Sequence, residues 1–243
     1  MDLSEHKILI TGGSSGIGFA TAAQLQKAGA AVAINGRNTE KLAAAAEKLG
    51  VPGIPGDVSK EGDAQRIVQL AQAKLEGLTG LINNAGYGYI APLLEVKADE
   101  FEAVWRTNVL GATLMAREAA RYFVDQNFGD IINVASTAAL RGFPAGSPYN
   151  ATKFGLRGMT EAWRSELREH NIRVMLINPS EVMTNFADEV VSPQARARKD
   201  YTDKEKATKL RGDEIAHTIV SMLAMDRRGF ITEATVFATN PQK

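Results

Sequence analysis

The chain has 243 residues with 28 basic and 28 acidic side chains, so its zero net charge predicts neither nucleic acid nor a membrane surface as a partner. It has no cysteine, which excludes disulfides, cysteine nucleophiles and thiolate metal sites. No apolar stretch approaches the roughly 20 residues of a membrane span, and no basic segment with an apolar core opens the chain, so we expect a cytoplasmic protein.

The first predicted unit is a strand at residues 7–10, a glycine-rich turn and a helix that ends near Gly29. The turn reads Thr-Gly-Gly-Ser-Ser-Gly-Ile-Gly over residues 11–18. Glycines remove Cβ atoms where the backbone turns sharply or approaches a pyrophosphate, and the N–H groups of a helix's first turn face such an anion. The pattern predicts a phosphate-binding loop; the alternative is a tight turn without a ligand.

Strands and helices then alternate along the chain. Further strands are predicted at residues 31–35, 54, 80–83, 131–135, 173–177 and 234–238, and long helices at about 99–126 and 149–170. This alternation predicts an α/β fold, a doubly wound, Rossmann-type parallel sheet of seven strands in a single domain over residues 1–243. Residues 185–212 are polar and poorly periodic, and we predict that they form a substrate lid.

Polar residues follow most of the predicted strands. They are Thr11, Asn35, Asp57, Asn83, Ser136 and Asn178. Ligands of parallel sheets bind beyond the carboxyl ends of the strands, so the chemistry is expected at this edge.

The motifs resemble those of one enzyme family. The glycine turn, Asn83-Asn84-Ala85-Gly86, Asn108, Ser136 and Tyr149-x-x-x-Lys153 occur here in the order and spacing of the short-chain dehydrogenase/reductases. A Tyr-x-x-x-Lys pair alone is common and carries little information, whereas the combination covers essentially the whole chain. The resemblance implies an oxidoreductase, with the 3-oxoacyl carrier-protein reductases as the most specific likeness.

The candidate catalytic residues suit that chemistry. Hydride transfer to a carbonyl places negative charge on oxygen, so the site needs a hydrogen-bond donor and a proton source. Tyr149 is the predicted acid, Ser136 the predicted donor, and the ammonium of Lys153 favours the Tyr149 phenolate. The resemblance implies that Lys153 binds the nicotinamide ribose and that Asn108 holds a water relaying protons to it. The alternative for Asn108 is a buried amide satisfied by the backbone.

Further cofactor contacts follow from the resemblance. They are Gly12, Ser14, Ser15, Ile17 and Gly18 for the phosphates, Asp57 and Val58 for the adenine, Asn84 for the adjoining ribose, Tyr149 and Lys153 in the catalytic site, and Val182 and Thr184 for the nicotinamide amide. The chain departs from the family at one position: it reads Pro179-Ser180, whereas Pro-Gly is usual in the family.

The residues after the second strand bear on the choice of cofactor. They read Asn35-Gly36-Arg37-Asn38, and no acid occurs before Glu40. An acid here binds the ribose 2′-hydroxyl of NAD, whereas arginine accommodates the 2′-phosphate of NADP. We therefore predict NADP (NADPH), with Arg37 as the discriminating residue; the alternative is an arginine directed at solvent.

The substrate is less defined. Candidate contacts are Tyr87, Tyr89, Arg141, Phe143 and Phe186, together with the lid. Their aromatic rings suit a partly apolar carbonyl substrate. Sugar, steroid-like and pterin-like carbonyl compounds are therefore alternatives to a 3-oxoacyl thioester. A non-catalytic nucleotide-sensing protein is the rival interpretation, but it has no chemical need for the catalytic set. No metal site is expected, because the three histidines lack ligand-like partners.

The two long helices also predict self-association. They carry apolar residues beyond one core-facing stripe, namely Leu110, Leu114, Phe123, Phe154 and Met159. We expect a homotetramer or homodimer; the alternative is a thick core beneath the helices.

Overall fold

A computed structural model describes residues 2–184, 202–203 and 208–239. The strands are β1 (Lys7–Ile10), β2 (Ala31–Gly36), β3 (Gly53–Pro55), β4 (Gly80–Asn83), β5 (Gly129–Val134), β6 (Ile172–Pro179), β7 (Val182–Met183), β8 (Leu210–Arg211) and β9 (Glu233–Val236). The α-helices are α1 (Gly16–Lys27), α2 (Thr39–Leu49), α3 (Glu61–Leu75), α4 (Ala98–Trp105), α5 (Ala112–Asp125), α6 (Ser147–Leu167) and α7 (Gly212–Leu223).

Seven strands form one parallel sheet in the order β3-β2-β1-β4-β5-β6-β9. The predicted doubly wound, Rossmann-type sheet is confirmed. The order reverses between β1 and β4, and this is the point at which such sheets open a crevice for ligands.

Both faces of the sheet are buried, which explains the nearly continuous apolar strands. Successive side chains of β1 alternate between the two faces. Ile8 and Ile10 pack in a cluster with Leu25 of α1 and Ile219 of α7, whereas Leu9 packs in a cluster with residues of α3 and α5. The two cores hold the helices against the sheet and bring the strand ends to one edge.

The helix predicted at 99–126 is not continuous. A π-helical segment, Arg106–Gly111, separates α4 from α5 and contains Asn108. Apolar periodicity does not reveal such a segment, because the residues on either side remain on buried faces. π-Segments inside helices occur frequently at functional sites.

The predicted lid is only partly within the described residues. Leu210 and Arg211 form β8, which pairs with β7, and α7 begins at Gly212. The last residues of the predicted lid therefore form regular structure, and the substrate lid itself remains a prediction. Phe186 and most of the segment lie outside the described residues.

The apolar residues that suggested self-association have different environments. Leu114 and Phe123 are buried in the core of the single chain, while Leu110 and Met159 pack against it from partly exposed positions. Only Phe154 of this set is exposed, at 44 %. The predicted alternative, a thick core, accounts for Leu114 and Phe123. In the described ranges, none of the helices has the length and apolarity needed to cross a bilayer.

Candidate active site

The loop between β1 and α1 and the first turn of α1 leave space for glycine alone at several positions. Gly12 has a φ of +64°, and a Cβ there would lie 2.9 Å from the Cα of Ala85. A Cβ on Gly18 would lie 2.4 Å from the carbonyl oxygen of Gly12. The loop is thus a close-packed backbone cradle at a helix N-terminus, which fits the pyrophosphate of a dinucleotide.

Asn84 and Thr11 fix this cradle to the end of β4. The Asn84 Nδ2 donates to the carbonyl oxygens of Thr11 (3.0 Å) and Gly12 (3.1 Å). The Thr11 hydroxyl accepts from the backbone N–H groups of Asn84 and Ala85, each at 3.0 Å. Asn84 therefore holds the loop in shape, and its contact with a ribose remains a prediction.

The other predicted loop residues lie around the same cradle. If Gly36 carried a Cβ, that atom would lie 3.4 Å from Ser14 Oγ. If Gly16 carried a Cβ, it would lie 3.2 Å from the Thr184 side chain. Ser15 is the N-cap of α1, and Ile17 packs against the core. Ser14 thus lies beside the end of β2, and Thr184 beside the start of α1.

A cavity of about 410 Å³ opens beside the ends of β2 and β3. It is lined by Arg37, Thr39, Pro55, Gly56, Asp57, Lys60, Asp63 and Arg66. Asp57 Oδ1 accepts from the N–H (3.0 Å) and the hydroxyl (2.8 Å) of Ser59, while Val58 is buried. The structure therefore places Arg37 and Asp57 in the lining of one cavity.

Three predicted catalytic residues converge at the ends of β5 and α6. Ser136 follows β5 and caps a short 3₁₀ turn, with its Oγ accepting from the N–H of Ala138 at 3.1 Å. Tyr149 is hydrogen-bonded to the side chain of Ser136. Lys153, one helical turn after Tyr149, donates from Nζ to the Val134 carbonyl at 3.1 Å, and this Nζ lies 5.7 Å from the Tyr149 ring centroid.

Burial governs the electrostatics of this group. It raises the pKa of Tyr149 to about 12, against the opposing effect of the hydrogen bond to Ser136. It lowers the pKa of Lys153 to about 8. The sequence predicts that Lys153 favours the Tyr149 phenolate, whereas in the structure burial raises the pKa of Tyr149 and so favours the phenol. Tyr149 is consequently held as the phenol, the form that can donate a proton.

Asn108 is a buried amide whose hydrogen-bonding groups are used within the chain. Its Oδ1 accepts from the Tyr87 N–H (3.0 Å), and its Nδ2 donates to the Tyr87 carbonyl (2.8 Å) and to Thr152 Oγ1 (3.2 Å). A Cβ on Gly86 would lie 2.9 Å from Asn108 Oδ1 and 3.8 Å from Lys153 Nζ, so Asn108 lies near the lysine. These hydrogen bonds match the alternative interpretation of Asn108, a buried amide satisfied by the backbone. They leave the predicted water relay untested.

Two groups of amides support the site in ways that the sequence does not predict, although Asn83 of the second group is one of the strand-end residues expected at this edge. Asn150, next to Tyr149, donates to the carbonyls of Ala138 (2.7 Å) and Arg141 (3.0 Å) and so ties the loop after Ser136 to α6. Asn83 donates to Asn133 Oδ1 at 3.0 Å, and Asn133 in turn donates to Thr160 Oγ1 at 2.8 Å. Asn133 interrupts the apolar run of β5, which is a signal that could have identified it.

The predicted substrate residues do not form one group. Tyr89 is buried, and its hydroxyl accepts from the Lys97 N–H at 2.8 Å, so it supports the loop after β4 instead of lining an open site. Phe143 lines a groove of about 660 Å³ with Leu93 and Phe154, and Arg141 is exposed nearby. Tyr87 lies beside Arg37 instead. Val182 packs against the core next to the β6 end.

Within the part of the chain that is described, no group of three or more histidine or acidic side chains could hold a metal ion. The glycine cradle, the pocket beside Arg37 and the Ser136, Tyr149 and Lys153 group all lie along one sheet edge. This edge offers an extended site for a nucleotide with a reacting group at one end.

Comparison with known proteins agrees with this geometry. A family model described as short chain dehydrogenase matches residues 6–195. The 4-formylbenzenesulfonate dehydrogenase TsaC1/TsaC2 of Comamonas testosteroni is 32 % identical over 96 % of this chain and 95 % of its own length.

Two crystal structures share the fold along nearly the whole chain. The 3-ketoacyl-(acyl-carrier-protein) reductase from Brucella melitensis complexed with NADH is 29 % identical with a TM-score of 0.83 over 94 % of both chains. The alcohol dehydrogenase from the archaeon Thermococcus sibiricus complexed with 5-hydroxy-NADP is 25 % identical, with a TM-score of 0.84 over 98 % of this chain and all of that one. The chain accordingly belongs to the short chain dehydrogenase family of oxidoreductases.

Proposed function

We propose that this oxidoreductase is an NADP-dependent enzyme that interconverts a carbonyl compound and its alcohol. The observation that carries the proposal is the phenol of Tyr149, hydrogen-bonded to Ser136 and followed on the same helix face by the amine of Lys153. A binding protein without turnover has no chemical use for this arrangement. The glycine cradle on the same sheet edge fits a dinucleotide.

The proposed roles follow from charge. When bound, the nicotinamide supplies or accepts the hydride. In the reducing direction the carbonyl oxygen becomes negative, and the hydroxyls of Ser136 and Tyr149 donate hydrogen bonds to it. Tyr149 then transfers its proton, and protonated Lys153 stabilises the resulting phenolate. Asn108 is proposed to keep Gly86 and Tyr87 in place near Lys153, and to supply the predicted water relay.

Cofactor binding is proposed for the residues around the cradle and the adjoining pocket. The set comprises Gly12, Ser14, Ser15, Ile17, Gly18, Arg37, Asp57, Val58 and Asn84, with Val182 and Thr184 toward the nicotinamide. As substrate we propose 3-oxoacyl thioesters first, and sugar, steroid-like and pterin-like carbonyls as further classes. Among the described residues, the candidates for contacting the substrate are the exposed Arg141 and Phe143, which follow Ser136 in the chain.

The function is tested by NADPH consumption, followed by absorbance, against a panel of ketones, aldehydes and 3-oxoacyl thioesters. Oxidation with one of these classes is expected. NADPH binding without oxidation across the whole panel would favour the nucleotide-sensing interpretation instead.

The cofactor assignment predicts a selective effect of Arg37→Ala. Arg37 is exposed at the pocket and, among described residues, has no carboxylate within ion-pair distance, so its charge is available for a 2′-phosphate. Removing a charge-assisted hydrogen bond costs about 1.5–3 kcal/mol, or roughly 10- to 150-fold. The KM for NADPH should rise by this factor while that for NADH stays within about twofold.

Arg66→Ala is the matched control for Arg37→Ala. Arg66 lines the same cavity but is already paired with Asp63 at 2.8 Å and with the Pro55 carbonyl at 2.8 Å. Its loss should change neither KM by more than about twofold, since its guanidinium is already engaged. Equal losses for both cofactors in Arg37→Ala, or a wild-type preference for NADH, would defeat the assignment.

We further propose a homotetramer or homodimer in the cytoplasm. The support is the exposed apolar surface formed by Trp105 of α4 and Phe154 of α6, which are 39 % and 44 % exposed. Light scattering at micromolar concentration should give a mass at least twice 26.1 kDa. A monomer mass would contradict the proposal, and cell fractionation would test the location.

A further inference from the structure

Arg37 has one close partner in the described structure, and it is an aromatic ring. Its Cζ lies 6.0 Å from the ring centroid of Tyr87, which is within the range of a cation–π contact. The side chain is otherwise exposed. An exposed arginine with no fixed partner samples many rotamers, and ordering it on a ligand costs conformational entropy.

Tyr87 is well suited to order this guanidinium, because its own backbone is clamped. The amide of Asn108 binds both the N–H of Tyr87, at 3.0 Å, and its carbonyl, at 2.8 Å. Asn108 is itself 1 % exposed and is held by Thr152 Oγ1. The Tyr87 ring therefore projects from a backbone that the buried π-segment fixes.

The contact also spans the cofactor edge of the sheet. Arg37 follows β2 and Tyr87 follows β4, and these strands flank β1 on its two sides. The loop after β1 is the glycine cradle, so Arg37 and Tyr87 meet across the region in which the adenosine half of a dinucleotide is expected. Tyr87 is half-buried, and burial raises its pKa, so its ring faces Arg37 as a neutral phenol.

We propose that Tyr87 is a positioning residue for cofactor choice: its ring holds the Arg37 guanidinium in place to receive the 2′-phosphate of NADPH. The inference rests on the proposed NADP function and extends it by assigning to Tyr87 a part in selectivity, in place of the predicted substrate contact. A guanidinium that is already ordered loses less conformational entropy when it binds the phosphate. The gain in affinity therefore applies to NADPH, which carries the 2′-phosphate, and not to NADH.

The test is a double-mutant cycle in which dissociation constants of NADPH and NADH are measured by cofactor fluorescence, without substrate. Tyr87→Leu removes the ring and should weaken NADPH binding roughly two- to fivefold, the range of an exposed cation–π contact. NADH binding should change less than about 1.5-fold. Tyr87→Phe keeps the ring and should behave as wild type. In an Arg37→Ala background, Tyr87→Leu should have no further effect on NADPH.

The outcomes separate this inference from the function on which it rests. If Arg37→Ala selectively weakens NADPH but Tyr87→Leu has no effect, adds independently, or weakens NADH equally, the role of Tyr87 is wrong and the NADP function stands. If Arg37→Ala itself is unselective, the NADP function fails. If Tyr87→Leu fails to bind NADH because it misfolds, Tyr87→Met takes its place, since its flexible unbranched side chain fills irregular space without an aromatic face.

Discussion

Replacing Tyr149 with phenylalanine should lower turnover by at least about 10²-fold, the usual minimum for losing a general acid. The substitution removes only the hydroxyl that is bonded to Ser136, at a position where burial holds the pKa near 12 and the proton is present at neutral pH. The helix and the aromatic volume are unchanged, so NADPH affinity should stay within about twofold. Turnover at saturating NADPH and NADPH fluorescence titration measure the two quantities.

Tyr122→Phe is the matched control for this experiment. The Tyr122 hydroxyl bonds to Gln72 and so joins α5 to α3, and neither residue belongs to the proposed catalytic or cofactor-binding set. Its loss should leave turnover near the wild-type value. Retention of more than about a tenth of the wild-type rate in Tyr149→Phe would show that another group donates the proton.

The fold could be predicted from sequence because its determinants are local. Strands buried on both faces appear as short apolar runs, and the polar residues that end them mark the functional edge. The turn at Gly12 and Gly18 could be identified for the same reason, since the absence of a Cβ is visible in the sequence itself.

What could not be predicted depends on contacts between distant segments. The bond from Asn108 to the Tyr87 backbone joins a helix to the loop after β4, and only the fold shows that a π-segment brings them together. The aromatic type of Tyr87 predicts a substrate contact, whereas in the structure its ring lies beside Arg37. Tyr89, two residues along, is buried instead. Residue type alone cannot separate these environments.

The ion cluster at the opposite edge of the sheet was also invisible in the sequence. Asp130 at the start of β5 is 1 % exposed and receives two hydrogen bonds from Arg173, at 2.6 and 3.0 Å. Arg227 adds contacts at 3.2 Å. Arg173 also donates to the carbonyls of Leu223 (3.2 Å) and Met225 (3.0 Å), at the end of α7. The cluster thus joins β5 and β6 to the last described helix.

We expect Asp130→Ala to lower the free energy of unfolding by about 3–5 kcal/mol. The reason is that Arg173 is 4 % exposed, and removing its carboxylate leaves a buried charge without compensation. Urea unfolding followed by circular dichroism measures the change. Turnover of the folded variant at low temperature should remain near the wild-type value, because Tyr149 lies at the other edge of the sheet.

The control for Asp130→Ala is Asp226→Ala, which removes an acid from the same region of the chain. Asp226 pairs with Arg228 at 2.8 Å, but both side chains are largely exposed, at 67 % and 91 %, and exposed pairs are screened by solvent. Its urea midpoint should match that of the wild type. A double variant, Asp130→Ala with Arg173→Met, removes the uncompensated charge along with the carboxylate and should recover part of the lost stability. If Asp130→Ala cost less than about 1 kcal/mol, or if the double variant were less stable than Asp130→Ala, the cluster would not stabilise the sheet through buried charge pairing.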